Sequence, residues 1–205
     1  MSVKVFFTSI LVSLFISSNA FALVEYELSY NYEKQVYGIE RENLQVGRNA
    51  SIDISYYLTG YTAVEVGYGK GRMETYIDSS VDGSVDGVAV VKQFTLLEEE
   101  NYRIALKQAL AGSSSWVRPF LSVGYANQRL VNQTNYDLKS GDTIFTISGE
   151  PEESENDSVF GSFSLAFGAS RAFSINLSVQ TIFPAFEWNR AKDSLKYFAG
   201  VSFLL

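Results

Sequence analysis

Apolar and polar residues alternate along most of the chain, and the pattern is clearest at its end. Residues 195–205 carry an apolar side chain at every second position: Leu195, Tyr197, Ala199, Val201, Phe203 and Leu205. A period of two is typical of a β-strand with one apolar face. A terminal strand leaves an open edge unless the sheet closes on its own first strand. The pattern therefore predicts a closed, all-β sheet.

Seven earlier segments show the same alternation, so the sequence predicts eight antiparallel strands. They cover residues 24–33, 50–58, 64–71, 102–110, 117–126, 159–169 and 175–180. Three short turns, at residues 59–61, 112–115 and 170–172, alternate with four long connections, at residues 34–48, 78–87, 127–157 and 183–193. Short turns at one end and long connections at the other are typical of transmembrane β-barrels. The order of turns and connections thus favours an eight-stranded transmembrane barrel over a soluble one.

The first 22 residues have the composition of a cleavable signal peptide. Lys4 supplies the positive charge, residues 5–16 form an apolar segment, and Ala20 and Ala22 provide the small residues before a cleavage site. The alternative is an N-terminal membrane anchor, but the apolar segment is short for a bilayer span. The sequence therefore predicts a signal peptide over residues 1–22 and one barrel domain over residues 23–205.

The terminal strand resembles the assembly signal of bacterial outer-membrane β-barrels. That signal has alternate apolar residues, an aromatic residue near the end and an apolar last residue, as in Tyr197, Val201, Phe203 and Leu205. The family usually ends in Phe, so Leu205 is a departure. Residues 118–125 also resemble a central strand of these proteins. The resemblance is to small barrels of the OmpA, OmpX and OmpW kind, and it implies the bacterial outer membrane, contact with its lipid and lipopolysaccharide, and docking on the barrel-assembly machinery.

Composition excludes several kinds of chemistry. The chain contains no cysteine and no histidine, so disulfides, thiolate metal sites and the commonest general base are absent. Its net charge of −7 argues against a nucleic-acid partner. The lipid A acyltransferases, lipid A deacylases, phospholipases and surface proteases among these small barrels all use a histidine. The resemblance therefore implies a barrel that is not an enzyme and needs no cofactor.

Two acidic patterns are candidates for chemical sites. Glu25 and Glu27 lie two residues apart on one strand face, ~7 Å from each other, and could be an acid–base pair. A narrow lumen filled with side chains could not admit a sugar to them. The acidic run at residues 150–157 offers oxygen ligands for Ca²⁺, but its spacing matches no EF-hand loop, and a solvated run is favoured. The sequence therefore predicts no catalytic residue and no metal site.

Charged residues on the polar strand faces predict ion pairs inside the barrel. An eight-stranded barrel is only wide enough for its own side chains, and charges buried there must pair. Glu27 and Glu65 are expected in the periplasmic half with Lys107 and Arg118, and Glu33 and Lys196 nearer the loops. The full predicted network is Glu25, Glu27, Glu33, Asp53, Glu65, Arg103, Lys107, Arg118 and Lys196. The alternative is that these residues only line internal water.

Three functions compete at this point. The first is a structural or surface-interactive protein whose long outer loops contact a partner that the sequence does not name. The second is a narrow, porin-like channel or carrier for small solutes. The third, an enzyme, is disfavoured by the missing histidine. The first two differ in whether the lumen is filled.

Overall fold

The structure is a computed structural model that describes residues 23–38, 41–78, 88–112, 115–170, 172–184, 191–192 and 194–205. The predicted signal peptide, residues 1–22, lies outside the described residues. Within these ranges no helix is long and apolar enough to cross a membrane.

Nine antiparallel strands make up the described part of the chain. They are β1 (Val24–Tyr37), β2 (Asn43–Tyr57), β3 (Thr62–Ile77), β4 (Val88–Ala109), β5 (Val117–Ser140), β6 (Thr143–Ser148), β7 (Glu152–Gly168), β8 (Phe173–Pro184) and β9 (Lys196–Leu204). Eight of them pair in a ring, and β6 pairs only with the upper part of β5. The predicted eight-stranded antiparallel barrel is confirmed, with one additional strand outside the ring.

The barrel closes between its first and last strands. β1 and β9 pair from Glu25 opposite Leu204 to Tyr30 opposite Ala199. Leu205 N donates to Val24 O at 2.8 Å, and Val24 N donates to Leu205 O at 3.2 Å. Both chain ends of the described barrel therefore lie at one end, together with the connections β2–β3, β4–β5 and β7–β8. We call this the turn end and the opposite one the loop end.

The strand faces are reversed relative to a soluble protein. Apolar side chains point outward, with Leu106 54%, Val123 55% and Leu177 51% exposed, whereas glutamates, serines and asparagines are buried inside. Aromatic pairs lie on the outer surface near both ends: Tyr68 with Tyr102 toward the loop end, and Phe173 with Phe203 at the turn end. Successive side chains on a strand face opposite ways, so the period of two in the sequence produces this arrangement directly.

The strands continue well beyond the predicted boundaries at the loop end. The connection expected at residues 34–48 is limited to residues 38–42, because β1 and β2 pair as far as Tyr37 opposite Asn43. The connection expected at residues 127–157 is mostly strand: β5 runs to Ser140, turns at Gly141, and returns as β6 and β7. Polar and apolar residues are mixed on both faces of these segments, so the alternation that marks a membrane strand is missing although the backbone still pairs.

Candidate functional site

An apolar layer fills the lumen at the turn end. It consists of Tyr57, Ala63, Ala109, Phe120 and Ala166, with Leu204 packed against it. These residues come from β2, β3, β4, β5, β7 and β9, all at inward positions. The layer closes the lumen toward the turn end and lies directly beside the first group of buried charges.

The first charged layer surrounds the side chain of Lys107. Its Nζ lies 3.3 Å from Glu25, 3.6 Å from Glu27 and 3.5 Å from Glu65, and the ammonium group is 3% exposed. The Phe120 ring lies on another side, 5.0 Å from Nζ to the ring centroid. The Tyr57 hydroxyl donates to Glu25 Oε2 at 2.5 Å. One lysine thus contacts three carboxylates from β1 and β3, the two strands on either side of β2.

A second charged layer lies one step closer to the loop end. Arg103 Nη2 donates to Asp53 Oδ1 at 2.7 Å, and both side chains are buried. Arg103 Nη1 also donates to Asn101 at 3.3 Å and to Gln180 at 3.4 Å. Gly67 of β3 is opposite Asp53 of β2 on one side and Arg103 of β4 on the other. A Cβ at Gly67 would be 2.0 Å from Asp53 Oδ1. Glycine at this position is therefore what leaves room for the ion pair.

The remaining three predicted network residues depart from the predicted layers. Lys196 Nζ donates to Glu99 Oε2 at 2.5 Å, so its partner is Glu99 and not Glu33. Glu33 is exposed because it lies above Tyr30, where the pairing of β1 with β9 ends. Arg118 is partly buried with its guanidinium over the Phe120 ring, and it forms no ion pair with any described residue. The ion pairs inside the barrel thus include Glu99 in place of Glu33 and Arg118.

Above the second charged layer the lumen widens into a cavity of about 790 Å³ that opens at the loop end. We call this cavity the vestibule. Arg103 and Gln180 form its base, and Glu99 and Lys196 lie in its wall. Beneath it, toward the turn end, lie the Arg103–Asp53 pair, the Lys107 cluster and the apolar layer.

Beyond the vestibule, part of the wall extends as a projecting sheet, which we define as β6 with residues 88–97 of β4 and 131–140 of β5. All six residues of β6 are exposed, including Ile144, Phe145 and Ile147. β6 pairs with β5 on one side, and no other described strand pairs with it. The projecting sheet therefore ends in an apolar strand with an unpaired edge.

Acidic residues continue this edge toward the barrel. Gly149 to Pro151 separate β6 from β7, whose first residues carry Glu152, Glu153 and Glu155. The Arg129 guanidinium donates to Glu153 at 2.6 Å, and this hydrogen bond lowers the pKa of the Glu153 carboxyl. The acidic run is a strand rather than a loop, so its side chains point alternately to two faces. Among the described residues, no three acidic side chains are arranged to hold a metal ion.

The residues of the predicted assembly signal all lie on the outer face of β9. Tyr197 is 67% exposed, Leu205 is 75% exposed, and Val201 is partly buried. The Phe203 ring lies 5.2 Å from that of Phe173 on the neighbouring strand. They form a continuous apolar strip along the strand that closes the barrel.

Comparison with known proteins yields structural likeness and no sequence match. No family model matches the chain, and no curated protein matches it. The N-terminal β-barrel domain of Pseudomonas aeruginosa OprF superimposes with a TM-score of 0.51 at 14% identity, over 89% of this chain and 97% of that one. The outer-membrane protein OprG of the same organism gives 0.52 at 10% identity, over 90% and 95%. This chain has the fold of the small outer-membrane β-barrels.

Three features of this outer-membrane-type barrel escaped sequence reasoning. Glu99 stands within three consecutive glutamates, so only its parity with Arg103 on the same strand indicates that it faces inward. The inward Tyr57 follows from alternation, but its hydrogen bond to Glu25 does not. β6 is six residues long, and its apolar residues were assigned to a polar connection.

Proposed function

We propose that this protein is a non-enzymatic, integral outer-membrane β-barrel that acts through a surface interaction at its loop end. The observation that carries the proposal is the unpaired, exposed edge of β6 above a lumen closed by side chains. Export through residues 1–22 as a signal peptide and a bacterial outer-membrane location belong to the same proposal.

The outer face of the barrel supports a membrane location. An exposed apolar band of this extent would promote aggregation in water, and a closed barrel satisfies every backbone hydrogen bond within lipid. On β4 the outward face is largely apolar from Tyr102 to Leu110, about 27 Å along the strand. At a tilt of about 40° this corresponds to about 21 Å across the membrane, close to the band of known barrels. Outer-membrane lipid and lipopolysaccharide are the proposed contacts of this band.

Assembly is proposed to depend on the outer strip of β9. Tyr197, Val201, Phe203 and Leu205 would be read by the barrel-assembly machinery before β9 pairs with β1. Because Leu205 forms two backbone hydrogen bonds with Val24 in the finished barrel, recognition of the strip and closure of the sheet would involve the same strand.

The closed lumen favours an interaction role over the alternative, a narrow channel or carrier. A solute that enters the vestibule meets Arg103 and Asp53 bound to each other, then Lys107 with its three carboxylates. Separating such buried pairs costs several kcal/mol per ion. The vestibule itself is the one observation that favours a channel, since it gives solutes access to half of the lumen.

The chemistry of the projecting sheet indicates what it could bind. An unpaired strand edge presents backbone donors and acceptors that can be extended by a strand from another protein. The edge is apolar along β6 and acidic along residues 150–157. A complementary partner would therefore offer an extended segment that combines apolar with basic residues. A second copy of this chain is disfavoured, because its own edge carries the same acidic charge.

A peptide-binding experiment tests the interaction. The refolded protein in lipid nanodiscs is titrated with a short peptide that alternates lysine and valine, and backbone amide shifts are followed by NMR. Binding should perturb the amides of β6, and Ile144→Pro should weaken binding, because the Ile144 N–H faces the unpaired edge and proline cannot donate there. The matched controls are a glutamate–valine peptide and the lysine–valine peptide with a central proline. Equal binding of all three peptides, or no shift in β6, would contradict the proposed interaction.

The orientation is tested separately in cells. Gly141 lies at the tip of the β5–β6 hairpin with a positive φ of 60°, and a Cβ there would meet no atom within 4 Å. An epitope inserted after Gly141 should therefore leave the barrel intact. Antibody should label the tag on intact cells, whereas labelling only after permeabilisation would place the projecting sheet on the periplasmic side.

A further inference from the structure

A ring of side-chain amides lines the vestibule, and closure of the lumen beneath does not depend on these amides. Five barrel strands line the cavity with amide side chains, and Asn31 of β1 lies beside Asn49. The lining amides are Gln45, Asn49, Asn101, Gln128, Asn156 and Gln180. The two other strands contribute Gly69 and Gly71 from β3 and Lys196 from β9. Every amide both donates and accepts hydrogen bonds and carries no charge.

Part of the ring is fixed by internal hydrogen bonds, and part is free. Asn49 donates to Asn31 at 2.9 Å, and Arg103 donates to the side-chain oxygens of Asn101 and Gln180. No described residue hydrogen-bonds the side chain of Gln128 or Asn156, and both face the cavity. These two neighbours, on the paired strands β5 and β7, are opposite each other in register. The ring thus offers adjacent, unoccupied donors and acceptors on a rigid wall.

Apolar side chains and glycines also line the vestibule, beside its amides and its charged residues. Leu97, Leu130, Ile182 and Phe198 line the cavity beside the amides. Glycines on the opposite wall keep the backbone accessible: a Cβ at Gly71 would lie 2.1 Å from Asn49 Oδ1, and one at Gly69 would lie 2.8 Å from the Asn101 amide. The glycines therefore make room for the amide side chains and leave the space in front of them open.

We propose that the vestibule binds a neutral saccharide. Sugars combine hydroxyl groups, which donate and accept as amides do, with apolar C–H faces that fit the Leu and Phe wall. The cavity of about 790 Å³ lies within the range of small-molecule sites. The charges in the wall are already matched, Arg103 with Asp53 and Lys196 with Glu99. Glu33 at the rim adds a negative charge that disfavours anionic ligands.

The binding experiment uses the full barrel in nanodiscs and maltose as the probe. Saturation-transfer NMR at millimolar sugar should show transfer to maltose, and arginine and glutamate should show none. The double substitution Gln128→Ala with Asn156→Ala should weaken maltose binding roughly tenfold, because it removes two neutral hydrogen-bonding groups. Asn127→Ala is the matched control, since Asn127 precedes Gln128 but points outward. The affinity of this variant for maltose should equal that of the unmodified protein.

A filling substitution separates ligand binding from loss of fold. A Cβ at Gly47 would meet only Glu33 Cβ at 3.6 Å, an ordinary contact. Gly47→Phe should therefore place a ring in the vestibule, weaken maltose binding at least tenfold and leave the heat-modifiable mobility of the barrel on gels unchanged. A titration with maltoheptaose distinguishes the source of the sugar. If maltoheptaose binds with the same affinity as maltose, the site accepts the end of a glycan chain. If it binds at least tenfold more weakly than maltose, the site accepts a short free sugar. The proposal is overturned if maltose shows no transfer, or if Gly47→Phe binds it like the unmodified protein.

Discussion

Removing the charge of Lys107 should destabilise the barrel more than any other single change in its wall. The ammonium group lies within 3.6 Å of three buried carboxylates and is 3% exposed. At an effective dielectric constant of about 20, each contact corresponds to roughly 5 kcal/mol of Coulomb attraction. Desolvation and repulsion among the carboxylates offset most of that sum. Loss of one partner from a buried pair typically costs about 3–5 kcal/mol, and we expect this loss for Lys107→Met.

The assay is reversible urea unfolding in lipid vesicles, followed by intrinsic fluorescence. A loss of about 4 kcal/mol lowers the urea midpoint by about 2 M if the slope is about 2 kcal/mol per M. The matched control is Lys70→Met, because Lys70 pairs with Glu100 at 2.9 Å on the exposed outer face, where ion pairs contribute little. Adding Glu27→Gln and Glu65→Gln to Lys107→Met should recover part of the loss. If Lys107→Met and Lys70→Met unfold at the same urea concentration, the buried pairs do not stabilise the lumen.

Two further predictions concern the second charged layer and the terminal strand. Gly67→Ala should separate Arg103 from Asp53, because the new Cβ overlaps Asp53 Oδ1; a lower urea midpoint is expected, and an unchanged one would show that the wall can shift to accommodate a methyl group. Replacing Phe203 and Leu205 together with Asp should leave the protein in the periplasm of expressing cells, whereas heat-modifiable protein in outer-membrane fractions would contradict the proposed assembly signal.

The sequence predicted the barrel because lipid and lumen impose opposite polarity on alternate residues. This contrast is strong wherever the outer face meets lipid, as from Tyr102 to Leu110. It disappears toward the loop end, where polar and apolar residues are mixed on both faces of β5 beyond Asn127, and there the predicted strands ended too early. Backbone pairing with β4 continues to Ser140 regardless. The existence of the eight barrel strands was therefore predictable, whereas their length at the loop end and the additional strand β6 were not.

Inside the lumen, too, some features were predictable from the sequence and others were not. Alternation alone identifies which residues face inward, and Lys107 and Arg103 are found among carboxylates. Which charges meet depends on register and strand length, which the sequence does not contain. Glu33 is exposed because β9 begins only at Lys196, and Lys196 instead reaches Glu99 across the barrel. Arg118 is placed against Phe120 by the apolar layer, a contact that requires knowledge of the layer.

Single-channel recording in planar bilayers tests the closed lumen most directly. The unmodified protein should give no steady current, because the Arg103 and Lys107 layers fill the lumen beneath the vestibule. Steady conductance on the nanosiemens scale from the unmodified protein would contradict the closed lumen and favour the channel function.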